Sequence, residues 1–299
     1  MPNQPVSGND LARFSGPQTF MRLPEATSPE GLNVGFIGIP MDIGTTWRSG
    51  TRMGPKQLRE QSAMIRPYNI QTGAAPFDAL QCADLGDIAI NTFSLSDSIR
   101  IITESYAAYL NHDFIPMTLG GDHTLTLPVL RSVAAKHGPL ALVHVDAHAD
   151  VNDEMFGERE THGTVFRRAY EEGIIIPEKV FQIGLRGTGY TADDFTEAAG
   201  WGFNQYLAPD LWHKSLTPLA ADIKARIGDQ PCYITYDIDS LDPAYAPGTG
   251  TPEIGGLTTP QAMELIRGLR GLNIVGCDLV EVSPPYDTSG NTALTGANL

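Results

Sequence analysis

The 299-residue chain carries 35 acidic and 20 basic residues, a formal net charge of −15, with 41% hydrophobic and 18% charged residues. This is the composition of a globular protein long enough to bury a core without disulfide staples, and it argues against a disordered chain. The acidic balance argues against binding nucleic acid or an anionic membrane through overall charge. No apolar run reaches the length of a membrane span, and the start Met1-Pro2-Asn3 has no secretory character.

Residues 1–32, rich in Pro, Gly, Ser and Asn, read as an N-terminal arm. From residue 33 onward, β-rich runs alternate with amphipathic stretches. Strands are expected at Asn33–Ile39, Phe114–Leu119, Leu140–Val145, Val180–Leu185, Cys232–Ile238 and Ile274–Val282, with weaker ones near Ile88–Ile90 and Phe203–Leu207. Helices are expected at Pro55–Met64, Leu95–Leu110, Thr124–Ala135, Pro218–Ile227 and Thr259–Leu269. Ser94 and Thr258 read as caps, and Pro260 suits a first helical turn. Nearly continuous apolar strands suit burial on both faces. The alternation predicts an α/β fold, a mostly parallel sheet between two helical layers, with 33–299 as one domain. The cysteines Cys82, Cys232 and Cys277 are scattered, which suits a reducing cytoplasm and not a thiolate site.

Ligands in such sheets sit beyond the carboxyl ends of the strands. The run Leu140–Val145 leads into Asp146-Ala147-His148-Ala149-Asp150. In extended chain, the two carboxylates and the imidazole share one face. Burying them is costly unless a cation offsets the charge. Cys232–Tyr236 leads into Asp237-Ile238-Asp239, again paired carboxylates, although a capped loop would leave the same trace. Phe114–Leu119 leads into Gly120-Gly121-Asp122-His123. Together these supply four carboxylates and two imidazoles, enough for two divalent ions of the manganese, nickel, iron, cobalt or zinc type. Two ions about 3.5–4 Å apart make a water hydroxide-like at neutral pH, which predicts metal-assisted hydrolysis. His144, on the same strand face as Asp146, reads as a core histidine, with support of Asp146 as the alternative. His112, His137 and His213 read as surface residues, and Trp47 and Trp212 as packing.

The three signatures, with Asp242-Pro243 and Ala246–Glu253, resemble the ureohydrolases: arginase, agmatinase and the guanidino-acid hydrolases. Met64–Tyr68, Asp150–Glu158 and Leu279–Thr288 resemble the guanidinobutyrase branch. The resemblance implies a three-layer αβα fold with an eight-stranded sheet, assembled as a homotrimer or homohexamer, and a two-manganese centre, with nickel as a second choice of metal. It implies one ion on His123, Asp146, Asp150 and Asp237 and the other on Asp146, His148, Asp237 and Asp239. It implies Glu281 as the carboxylate gripping the guanidinium, which suits paired hydrogen bonds to a planar cation. His162 is implied as the histidine moving protons near the leaving amine, with Asp150 assisting. The products the resemblance implies are urea and an amine. The 151–161 loop should line the mouth. There Met155 and Phe156 are apolar, with Asn152 nearby, and the methionine suits a methylene chain better than a zwitterion. This favours 4-guanidinobutanoate, with 3-guanidinopropanoate as an alternative. Glu154, Glu158 and Glu160 could instead attract a cationic tail such as agmatine's, and Glu160-Thr161 before His162 departs from the small apolar pair expected of a guanidinobutyrase, which leaves substituted guanidines or biguanides open. The resemblance also implies a final helix beyond Leu299, without which apolar surface stays exposed. Two rival readings are an inert partner subunit and a single-zinc deacetylase.

Overall fold

In the computed structural model, which describes residues 2–189, 191 and 193–299, the apolar runs become neighbours in one sheet. In chain order the elements are β1 (Val34–Gly38), α1 (Gly54–Ser62), β2 (Cys82–Asp87), α2 (Leu95–Tyr109), β3 (Ile115–Leu119) and α3 (Thr126–His137). They continue with β4 (Leu140–Val145), α4 (Val165–Glu171), β5 (Ile175–Leu185), α5 (Asp193–Gly200), β6 (Asn204–Leu207) and α6 (Ala208–Leu211). The last are α7 (Thr217–Ile227), β7 (Cys232–Asp237), α8 (Thr259–Gly268), β8 (Ile274–Val280) and α9 (Asn291–Asn298). The eight strands are all parallel, in the order β2-β1-β3-β8-β7-β4-β5-β6.

Strand alternation divides the core into two layers. Ala141, Val143 and Val145 of β4 join Ile223, Leu265 and Ala293 from α7, α8 and α9. Leu140 and Leu142 face the other way, with Ile102, Val129 and Phe166 from α2, α3 and α4. The helices start where the sequence caps them. Ser94 Oγ accepts from Asp97 N–H, and Thr258 and Gln261 form a reciprocal capping box.

Several elements differ from expectation. The weak strand placed near Ile88–Ile90 lies upstream at Cys82–Asp87. Its Asp84 and Asp87 break the apolar pattern, and buried Arg59 of α1 offsets both, at 2.8 and 2.5 Å. β5 begins at Ile175, taking in the run before Val180. Helices α4, α5, α6 and α9 were not expected. Trp47 is 72% exposed and so does not serve as packing, whereas Trp212 donates to Gly255 O at 2.8 Å. In the N-terminal segment, Phe20 stacks on Phe36 at 4.2 Å between centroids, and Leu23 is buried. α9 packs on α1, and beside it an apolar cavity of about 590 Å³ is lined by Phe36, Met117, Ile234, Ile266, Leu279 and Leu299. Among the described residues, no helix is long and apolar enough to cross a membrane.

Candidate active site

Four adjacent strands, β3, β8, β7 and β4, end together at the same edge of the sheet. Parallel order therefore gathers His123, Glu281, Asp237 with Asp239, and Asp146 with His148 and Asp150, although they lie far apart in sequence. Two close backbone approaches make this possible. A Cβ on Gly121 would meet Met41 O at 1.9 Å, so only glycine lets the chain after β3 pass there. Glu281 N–H donates to Gly121 O at 2.8 Å, which ties the ends of β3 and β8. Asp150 and Glu281 adopt left-handed φ of 52° and 64°. Such backbone is disfavoured for a residue with a side chain and persists only where the surrounding structure holds it.

His123 is fully buried. Its Nδ1 lies 3.1 Å from Asp146 Oδ2, 3.0 Å from Asp150 Oδ2 and 3.3 Å from Asp237 Oδ2. Its Nε2 faces Thr235 Oγ1 at 2.9 Å, so Nδ1 is the atom turned to the carboxylates, and it makes no hydrogen bond. His148 is a third exposed. Its Nδ1 lies 3.5 Å from Asp146 Oδ1 and 3.2 Å from Asp239 Oδ2. The two oxygens of Asp146 are thus divided between two His/Asp clusters, each able to hold an ion. Buried carboxylates around orphaned imidazole nitrogen, with no thiolate, form a donor set that fits two divalent ions of the manganese–nickel type.

The protonation pattern of the protein without ions reflects this crowding. Burial, then Asp239 and Asp146, push Asp237 well above the usual carboxylate range. Burial opposes charge on His123, but Asp146, Asp150 and Asp237 outweigh it and raise the imidazole. Burial likewise opposes charge on His148, and Asp239 and Asp146 raise it. Burial and Asp122 push Glu281 up.

Glu281 Oε1 accepts from His123 N–H at 2.8 Å, while Oε2 is buried without a partner. His162 Nδ1 lies 3.7 Å from Glu281 Oε1, and its Nε2 lies 2.8 Å from Thr46 Oγ1. A cavity of about 310 Å³ opens above them, lined by His148, Asp150, Asn152, Met155, His162 and Asp237 among others. Asn152 donates to Gly163 O at 3.0 Å, which pins the loop beside His162. Among the described residues, Phe156 is exposed and, with Glu154, Glu158 and Glu160, does not line this cavity. Glu160 pairs with Arg131 at 2.5 Å, and Glu158 accepts from the backbone of Arg159 and Glu160. Besides Asp150 and Asp237, the acidic residues that line it are Asp153, Asp194 and Glu197, with Arg167 of α4 bonded to Glu197 and to Val151 O.

Sequence reasoning did not single out Thr46, Thr235, Thr251 or Arg186. Thr251 donates to Asp239 Oδ2 at 3.2 Å, and Arg186 donates to the carbonyls of Gly184, Asp239, Ser240 and Leu241. Arg186 thereby fixes the turn that presents Asp239. A lone Arg after a strand carries no signal of this, whereas Thr251 lay inside a stretch already noted.

The arginase family model matches residues 32–299. The chain belongs to the arginase family. This ureohydrolase is 59% identical to a guanidinobutyrase of Pseudomonas aeruginosa, over 99% of this chain and 94% of that protein. It is 54% identical to a human mitochondrial guanidino acid hydrolase, over 99% of this chain and 84% of that one. The proclavaminate amidino hydrolase of Streptomyces clavuligerus superposes with a TM-score of 0.90 at 40% identity, covering 95% of each chain. The ureohydrolase is therefore a guanidinobutyrase-like amidinohydrolase with a binuclear metal site and a small guanidino substrate.

Proposed function

We propose that the chain hydrolyses 4-guanidinobutanoate to urea and an amine, with Mn2+ ahead of Ni2+ as its metal. The observation that carries the reading is Glu281 Oε2, a buried carboxylate oxygen without a partner beside the two His/Asp clusters. A guanidinium supplies the paired donors it lacks, and its positive charge returns the raised Glu281 carboxyl to its ionised form.

His123, Asp146, Asp150 and Asp237 would hold one ion, and Asp146, His148, Asp237 and Asp239 the other. Bound there, the ions supply a water activated at neutral pH and positive charge against the developing negative charge. Asp150, at the cavity floor, accepts a proton from the attacking water and passes it on toward nitrogen. Glu281 fixes the plane of the guanidinium so that its carbon faces that water. His162, oriented by Thr46 on one ring nitrogen, delivers a proton to the departing amine. Met155 in the cavity wall lies along the methylene chain, and Asn152 holds the loop against His162. Glu154, Glu158 and Glu160 lie off the cavity lining and give no ground for agmatine, while Asp153, Asp194 and Glu197 line it and keep a cationic tail such as agmatine's as the second reading.

We read residues 33–299 as one catalytic domain behind an arm of 1–32, located in the cytoplasm. We infer a homotrimer or homohexamer, which the resemblance and exposed Phe14, Trp47 and Phe93 support. The test is urea release from 4-guanidinobutanoate, 3-guanidinopropanoate, agmatine, arginine and biguanides, each with Mn2+ and with Ni2+. The expected result is the highest kcat/KM on 4-guanidinobutanoate with Mn2+. A preference of tenfold or more for agmatine would overturn the substrate assignment.

A further inference from the structure

One level below the strand ends, a row of polar side chains crosses six strands of the sheet. In register it runs Thr118 on β3, Asp278 on β8, Thr235 on β7, His144 on β4, Gln182 on β5 and Gln205 on β6. Paired positions in neighbouring strands point to the same face, so the row forms a floor beneath the two clusters. Thr118, Asp278, Thr235, His144 and Gln182 are all buried. A buried polar row is costly, and each member must be satisfied.

The β4–β5–β6 part of the row is saturated in a way that leaves one arrangement. Gln182 Nε2 lies 2.7 Å from Ala149 O, an acceptor only, which fixes the orientation of the amide. Its second N–H faces His144 Nδ1 at 3.1 Å. Gln182 Oε1 accepts from Gln205 Nε2 at 3.0 Å. His144 Nδ1 is therefore an acceptor, and the ring hydrogen sits on Nε2, which donates to Asp146 Oδ2 at 2.7 Å. The His144 ring is held by Phe166, with centroids 4.0 Å apart. His144 lies near enough to the buried cluster around His123, the inner of the two, to be a ligand, but its Nε2 is committed to Asp146; the cluster around His148, a third exposed, is the outer one.

One amide thus reaches two ligands of the same ion, each through one intermediary. Through His144 it aims Asp146, and through Ala149 O it holds the peptide that enters the left-handed turn at Asp150. Asp146 and Asp150 are the two carboxylates that converge on His123 Nδ1 from β4. We propose that Gln182 is a positioning residue that presents Asp146 and Asp150 together, so that binding of the inner ion depends on it more than binding of the outer ion does. The proposal rests on the metal-site reading above and adds a residue that reaches the ligands only through others.

The test is Mn2+ titration of metal-stripped protein, followed by electron paramagnetic resonance and calorimetry, for wild type, Gln182→Leu and Gln205→Leu. Gln182→Leu keeps the side-chain volume and removes both donors. The expected result is an inner-ion Kd raised by about 10- to 100-fold, with the outer ion shifted severalfold less. The melting temperature of the metal-free protein should not fall in parallel, which separates positioning from a general structural role. Gln205→Leu leaves both donor bonds of Gln182 but frees its oxygen, and should raise the same Kd by a few-fold. It decides the matter if Gln182→Leu does not fold. Wild-type affinity at the inner site in the folded variant, or equal loosening of both ions with a parallel loss of melting temperature, overturns the proposal. Absence of Mn2+ binding by wild type would instead sink the metal-site reading itself.

Discussion

The two halves of the metal centre use the same chemistry in opposite settings. The inner half is closed: His123 and Asp146 are fully buried, and Thr235, His144 and Phe166 back them. The outer half opens to the cavity: His148 is a third exposed and meets Asp239, which Thr251 and Arg186 steady from the side. Asp146 belongs to both. By this difference, burial and outer hydrogen bonds, more than ligand type, should set how firmly each ion is held. The inner half should then keep its ion, and the outer half should admit water and substrate.

The largest effect should come from removing the shared ligand. Asp146→Ala erases the distinction, with both ions lost by elemental analysis and kcat reduced on the order of 10³-fold or more. Retention of two ions would show that the halves do not share it. The next effect separates them. His148→Asn should keep one tightly held ion per chain and His123→Asn should lose that ion, each with kcat down by about 10²-fold or more. In wild type, a chelator time course should strip the ions in two phases, the outer first; a single phase breaks the comparison.

The pH dependence sharpens it further. His123, His148 and Asp237 all lie above their ordinary values without ions, so each keeps its proton to a higher pH than a free side chain would, and the ions compete with those protons. Ion uptake therefore releases protons, and apparent affinity rises with pH. Calorimetry in buffers of different ionisation heat reads the proton count, and identical heats would contradict it. The smallest effect lies farthest from the ions. Met155→Ala should raise KM for 4-guanidinobutanoate by about tenfold with kcat nearly unchanged, as expected for lost uniform binding. A drop in kcat alone would place Met155 in the chemistry.

Much of this comparison was legible in the chain. The apolar runs ending in Asp146, Asp237 and Gly120-Gly121 read as buried strands with charged ends, because neither property makes sense alone in a core. That both oxygens of Asp146 are divided between clusters was implied by the resemblance and is visible in the distances. The backing of each half was not legible. Thr235, Gln182 and Gln205 are ordinary residues in apolar strands, and they meet only because β7, β4, β5 and β6 stand side by side in register. Strand order is a long-range property that no local pattern encodes. β2 was misplaced for a related reason: Asp84 and Asp87 look like loop residues until Arg59 from α1 is seen to neutralise them.

The left-handed backbone at Asp150 and Glu281 carries a consequence for protein engineering. Each such position holds roughly 1–3 kcal/mol of strain that a glycine would relieve. The same relief is open at Met21, Arg22, Phe156 and His213, which hold no place in the chemistry. A stabilised variant built on those four would keep its turnover, whereas a glycine at Asp150 or Glu281 would gain heat resistance by the step that removes a functional carboxylate.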